Sequence, residues 1–123
     1  MSVNNAETKF FEQLVQKVAS GGTTSATVPT LAEMRSMKDL FAEFAGPLAD
    51  VKTIAATVPV GDNYQLPIRI YNPEKKGPTL IFFSGCGYVL DLFEANAIAA
   101  SRIAGYANAK VIIVNYRLCP EVT

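Results

Sequence analysis

Apolar positions recur along this chain with three different periods, and each period predicts a different kind of element. Phe10, Phe11, Leu14, Val15 and Val18 fall at i, i+1, i+4, i+5 and i+8, the spacing of one helix face from about Asn5 to Ala19. Ser20-Gly21-Gly22 supplies glycine C-cap chemistry at its end, and the small polar residues from Thr23 to Pro29 predict a loop. Thr30 is a good N-cap with Glu33 three positions on, the pattern of a capping box. Leu31, Met34, Met37, Leu40, Phe41 and Phe44 then form a second apolar helical stripe until Gly46-Pro47 stops it. This stripe reads as core in preference to a lid.

From Val51 the period shortens. Residues 51–60 are β-rich, Gly61-Asp62-Asn63 is turn chemistry, and Leu66, Ile68 and Ile70 alternate with Pro67, Arg69 and Tyr71. An antiparallel hairpin with one buried face and one wet face is expected. Asn72-Pro73 and Lys76-Gly77-Pro78 make the next connection. Leu80 to Phe83 and Val111 to Val114 do not alternate at all, as is usual where both faces of a parallel sheet are covered. Between them Phe93, Ala97, Ile98, Ala100, Ile103 and Ala104 suit a crossover helix from about Glu94 to Tyr106. Parallel strands require such a crossover, almost always right-handed.

Composition narrows the field. A chain of 123 residues, half of them hydrophobic, is large enough for one compact core and too apolar for a disordered tail. Eleven basic and eleven acidic residues cancel, and no basic run exists, so there is no electrostatic footprint for nucleic acid or an anionic membrane. The polar start MSVNNAETKF lacks the pattern of a secretory leader, and no apolar run nears the roughly 20 residues that span a bilayer. Cys86 and Cys119 are too few for a disulfide scaffold and match no zinc spacing. A cytoplasmic protein without cofactor or metal is the expectation.

Candidate chemistry sits where the two apolar strands end. The first runs into Ser84-Gly85-Cys86-Gly87-Tyr88 and the second into Tyr116-Arg117-Leu118-Cys119-Pro120-Glu121. The segments LPIRIYNP, LIFFSGCGYVL and VIIVNYRLCPE, in this order, resemble the N-terminal part of the hormone-sensitive-lipase-like α/β-hydrolases, a carboxylesterase and lipase family. That family carries two cap helices, a hairpin, a strand ending in His-Gly-Gly-Gly-aromatic, a helix, and a strand ending in Tyr-Arg-Leu-Ala-Pro-Glu. The resemblance implies an α/β fold: a partial α/β-hydrolase with two cap-like helices (residues 1–48), then a hairpin and one βαβ unit of a mixed, mostly parallel sheet (residues 49–123).

The family hydrolyses carboxylic esters with a Ser-His-Asp/Glu triad and an oxyanion hole of backbone N–H groups near the glycine loop. By resemblance Gly85, Cys86 and Gly87 are the oxyanion-hole candidates, and Ser84, Tyr116, Arg117, Pro120 and Glu121 support the loop. Ser84 stands where the family has His, and Cys86 where it has the middle Gly. If position 86 needs a positive φ, Cys there is strained; if not, its N–H can still serve. Ser84 is expected to hydrogen-bond within the loop, Arg117 and Glu121 to pair with each other or with loop backbone, and Pro120 to be a candidate for a cis peptide. Cys86 as a nucleophile, or bridged to Cys119, is set beside the plainer reading of an inert turn residue, which is favoured because no imidazole assists it.

No catalytic residue is expected in this chain: it contains no His and no Gly-x-Ser-x-Gly. The sequence thus reads as a truncated hydrolase, inactive alone, or as a non-catalytic remnant that binds a partner or itself. A small ester would be a substrate only if the missing half is supplied, with a homodimer or a complementing C-terminal chain as partner. The strand at Leu80 to Phe83 is expected to leave one edge open, a template for pairing.

Overall fold

Ala97, Ala100 and Ala104 make one face of the longest helix nearly flat, and this lets a sheet approach it closely. The computed structural model describes residues 30–122 together with Gln16. The chain divides into two compact units, Met1–Thr30 and Leu31–Thr123. The helix predicted from Asn5 to Ala19 and its glycine cap lie outside the described residues, except for Gln16, which is helical and exposed.

In the second unit the expected single helix after Thr30 is two: α1 (Leu31–Ser36) and α2 (Lys38–Ala45). The break has a local cause. Ser36 Oγ donates to the Glu33 carbonyl at 2.7 Å, and the Met37 N–H bonds one residue short, to the Met34 carbonyl at 3.3 Å. Gly46 ends α2 with φ +81°, a conformation that favours glycine. No side chain of α1 or α2 is fully buried, so the predicted core stripe is only a half-buried flank. Spacing marks a shared face but does not say how deeply that face is buried.

Strands β1 (Thr53–Val60) and β2 (Tyr64–Tyr71) form the expected antiparallel hairpin, with Val60 opposite Tyr64. Asp62 and Asn63 take positive φ in the turn, as these residue types tolerate. Strand β3 (Thr79–Phe83), helix α3 (Phe93–Ala107) and β4 (Lys110–Val114) follow as the βαβ unit, with Leu80 beside Val111 in a parallel pair. Strand order is β1-β2-β4-β3. β2 and β4 are antiparallel neighbours, with Tyr71 opposite Val111. β3 is the edge strand predicted for LIFF.

Register sorts the side chains into two faces. Arg69 and Tyr71 of β2, Val111 and Ile113 of β4, and Phe82 of β3 share the face toward α3. Tyr71, Val111 and Ile113 are fully buried there against the alanine face of the helix. Burial of each large side chain contributes about 1.5–3 kcal/mol. The helix is tied down at both ends. Arg69 forks onto Glu94 at 2.8 and 3.0 Å over the Phe93 ring, and Asn72 Nδ2 donates to the Ala104 and Ala109 carbonyls.

The opposite face holds Ile54 and Val58 of β1, Leu66, Ile68 and Ile70 of β2, Ile112 of β4, and Ile81 and Phe83 of β3. No helix among the described residues covers it, and Ile81 and Phe83 are 58% and 65% exposed. The wet face of β2 was therefore expected on the wrong side. Tyr71 and Arg69 face inward, whereas Leu66, Ile68 and Ile70 lie on the uncovered side. Periodicity groups residues by face, but only the position of α3 decides which face is buried.

Candidate functional site

The end of β3 and the end of β4 lie side by side because the strands run parallel, so both loops leave from the same rim of the sheet. Open α/β sheets take ligands outside the carboxyl ends of their strands. Here that rim carries Ser84 to Leu90 from one loop and Tyr116 to Glu121 from the other.

The first loop is a tight turn. The Cys86 carbonyl accepts the N–H groups of Val89 at 3.3 Å and Leu90 at 3.1 Å. Left-handed φ falls on Gly87 (+59°) and Tyr88 (+62°), not on Cys86. Cysteine at the family's middle-glycine position is therefore unstrained, and the question left open by the sequence is answered. The strained residue is Tyr88, a bulky side chain in a region costing on the order of 1–3 kcal/mol. It is held there by the Cys119 N–H, which donates to its carbonyl at 2.7 Å, and by its ring lying 5.8 Å from that of Tyr116. Among the described residues the N–H groups of Gly85, Cys86 and Gly87 donate to no acceptor.

Tyr116 braces the turn from beneath. Its hydroxyl donates to the Ser84 carbonyl, and Cys86 Sγ lies 3.0 Å from the same oxygen. A phenol has one proton, already given to Ser84, so the thiol is the donor in the second contact. Burial pushes the Tyr116 phenol up to about 12. Cys86 is buried in a bracing role, and both it and Cys119 are free thiols.

Two predicted supports are corrected. Ser84 Oγ, expected to hydrogen-bond in the loop, is buried without a partner among the described residues; its carbonyl does the bracing instead. Ser84 and Cys86 line a cavity of about 10 Å³, the size of one water molecule. Arg117 and Glu121 do not pair. Arg117 stacks its guanidinium 4.6 Å from the Tyr64 ring centroid, and Glu121 takes a fork from Arg35 of α1. Sequence proximity favoured the nearer arginine, whereas folding brings a partner 86 positions away. Tyr116 places its hydroxyl on the Ser84 carbonyl, and Pro120 follows a cis peptide bond.

Arg35 is the residue that sequence reasoning missed. It is one cation in an otherwise unremarked helix turn, and no motif marks it. Besides Glu121 it donates from Nε to the Val89 carbonyl at 2.9 Å and from Nη2 to the Cys119 carbonyl at 2.7 Å. Arg35's hydrogen bonds hold the Glu121 carboxyl near 2, well below its ordinary 4.5. A depressed carboxylate contributes stability above its ordinary value and loses it as pH falls toward the folded one. The Arg35 Nη–H protons, which the Glu121 carboxylate accepts, are thus expected to be protected from exchange at pH 6 and to lose protection progressively between about pH 4.5 and 2. A profile flat across that window would contradict the pairing.

No family model matches the chain. An ethyl acetate hydrolase of Pseudomonas putida is 32% identical over 65 residues, and an arylesterase of Saccharolobus solfataricus 34% over 62. Each match takes in 49% of this chain and 20% of the relative, so the chain spans about a fifth of the curated proteins it matches. Among solved structures, an arylesterase superposes over 100% of this chain and 38% of its own (TM-score 0.73, 24% identity). An ester-hydrolase from the Lake Arreo metagenome, complexed with a bipyridine phosphonate derivative, does so over 94% and 38% (TM-score 0.74, 24% identity).

Proposed function

We propose, from the premise that this chain corresponds to the N-terminal portion of an esterase- and lipase-type α/β-hydrolase, that it furnishes the oxyanion-stabilising turn of a carboxylic-ester hydrolase and is silent by itself. The observation carrying this reading is the turn at the rim: three successive N–H groups, of Gly85, Cys86 and Gly87, have no acceptor among the described residues, and Tyr116 braces the turn from below. Such donors act on the negative charge that develops on a tetrahedral intermediate, and losing one typically costs about 100- to 1000-fold in rate. The chain itself holds neither His nor Gly-x-Ser-x-Gly, so nucleophile and base must come from elsewhere.

A second reading is favoured by the uncovered face and the free edge of β3. On it the chain binds a partner, or a second copy of itself, without turnover; its zero net charge opposes neither. One assay separates the two. The chain is mixed with a C-terminal fragment of an esterase-type α/β-hydrolase that carries the nucleophile elbow and the histidine, and p-nitrophenyl acetate to octanoate are offered as substrates. Hydrolysis by the mixture, and by neither part alone, is expected. Association without hydrolysis would favour the binding module, and turnover by the chain alone would overturn the claim of silence.

A further inference from the structure

We infer that Arg35 is the positioning residue of the glycine turn: one guanidinium holds α1, the Cys86–Leu90 turn and the Tyr116–Glu121 corner in a single register. The inference rests on reading that turn as the oxyanion site. What Arg35 touches is unusual for a single side chain. Its Nε bonds the Val89 carbonyl 54 positions away, Nη2 the Cys119 carbonyl 84 away, and both Nη atoms the Glu121 carboxylate 86 away. Three segments distant in sequence thus meet at one rigid planar fork.

The two carbonyls matter more than the carboxylate. Val89 belongs to the turn itself, since its N–H closes onto the Cys86 carbonyl. Cys119 holds the turn from the other side, since its N–H donates to Tyr88, the residue in strained left-handed conformation. Arg35 therefore bonds the residue next to Tyr88 in the turn and the residue whose N–H holds the Tyr88 carbonyl. Without it the Tyr88 strain has fewer opposing contacts, and the turn can relax in a way that redirects the N–H groups of Gly85 to Gly87. The exposed rim of the Glu121 pair adds charge complementarity, but the aiming is done through backbone. A lysine supplies the charge without the fork and cannot hold all three groups at once.

The deciding measurements use the full chain and need neither partner nor turnover, so their outcome is separable from that of the ester assay. Amide exchange of Val89, Leu90 and Cys119 is followed by NMR, and iodoacetamide modification of the buried Cys86 by mass spectrometry. In Arg35→Ala both rates are expected to rise by about tenfold or more, while the amides of β2 and β4 keep theirs. Arg35→Lys is expected to behave nearly as Arg35→Ala. Glu121→Gln, which leaves the two carbonyl bonds in place, is expected to change the turn much less. In the complemented enzyme Arg35→Lys lowers kcat and leaves KM unchanged. Unaltered turn exchange and thiol reactivity in Arg35→Lys would overturn the inference. So would an equal rise in the β4 amides, because that is general loosening and not positioning. If Arg35→Ala does not fold, the contrast between Arg35→Lys and Glu121→Gln decides by the same criteria.

Discussion

Ile113→Ala is expected to lower the unfolding free energy by about 2–5 kcal/mol, measured by urea titration with an unchanged slope. Ile113 is fully buried at the centre of the sheet, between Arg69 of β2 and Phe82 of β3 and beneath the alanine face of α3. Alanines 97, 100 and 104 have no reach with which to fill the hole it leaves, so the cavity stays largely open. A small domain has roughly 5–15 kcal/mol in hand. With a second sheet face uncovered, the substitution takes a large share of it. A midpoint shift no larger than that of an exposed alanine substitution would show that the α3 face is not the core.

The second large effect runs the other way on the opposite face. Replacing both Ile81 and Phe83 by lysine is expected to leave the folded chain within about 0.5 kcal/mol of its original stability. The same pair is expected to reduce complementation of esterase activity by about 100-fold or more, because two ammonium groups would then be buried unpaired at the joint. Sedimentation velocity is expected to show the double variant monomeric at concentrations where the parent chain associates. These residues are 58% and 65% exposed on the edge strand, and lysine on an edge is what natural sheets use to discourage pairing. Undiminished complementation by the variant would remove β3 from the joint and, with it, the account of the uncovered face.

The contrast between these substitutions explains how much was legible beforehand. Leu80 to Phe83 and Val111 to Val114 announced themselves as a parallel pair by continuous apolarity, and the sheet pairs them so, although β3 lies at the edge with one face uncovered. The turn and corner behind them were recognisable by motif, and both lie at one rim, as a βαβ unit requires. The hairpin, its Asp62-Asn63 turn and the crossover helix were equally readable, since each depends on neighbours only a few positions away. The break at Met37 was less so. It depends on a hydroxyl-to-carbonyl bond that competes with the ladder, and sequence shows the serine but not which way it turns.

Contacts across long separations were not legible. Arg117 sits four residues from Glu121, and nothing in the chain indicated that Arg35 would take the carboxylate instead. Ser84 was assigned a bond that its hydroxyl makes to none of the described residues, because the role was inherited from a bulkier residue whose side chain reaches further. Whether Cys86 is strained was left open by the same inheritance, and the left-handed positions are the two that follow it.

By itself, then, the order of residues determined the hairpin, the parallel pair and its crossover helix, which side chains share a face, and that imidazole is absent. Only the tertiary structure decided which of two apolar faces is covered, which arginine reaches Glu121, and which turn residue carries positive φ. The reason is that periodicity and capping act over a few residues, whereas burial and ion pairing depend on where a distant helix comes to rest. Helix α3 settles on Tyr71 and Ile113, and α1 settles with Arg35 against the rim; those two placements turn a readable list of elements into a braced turn beside an open sheet face.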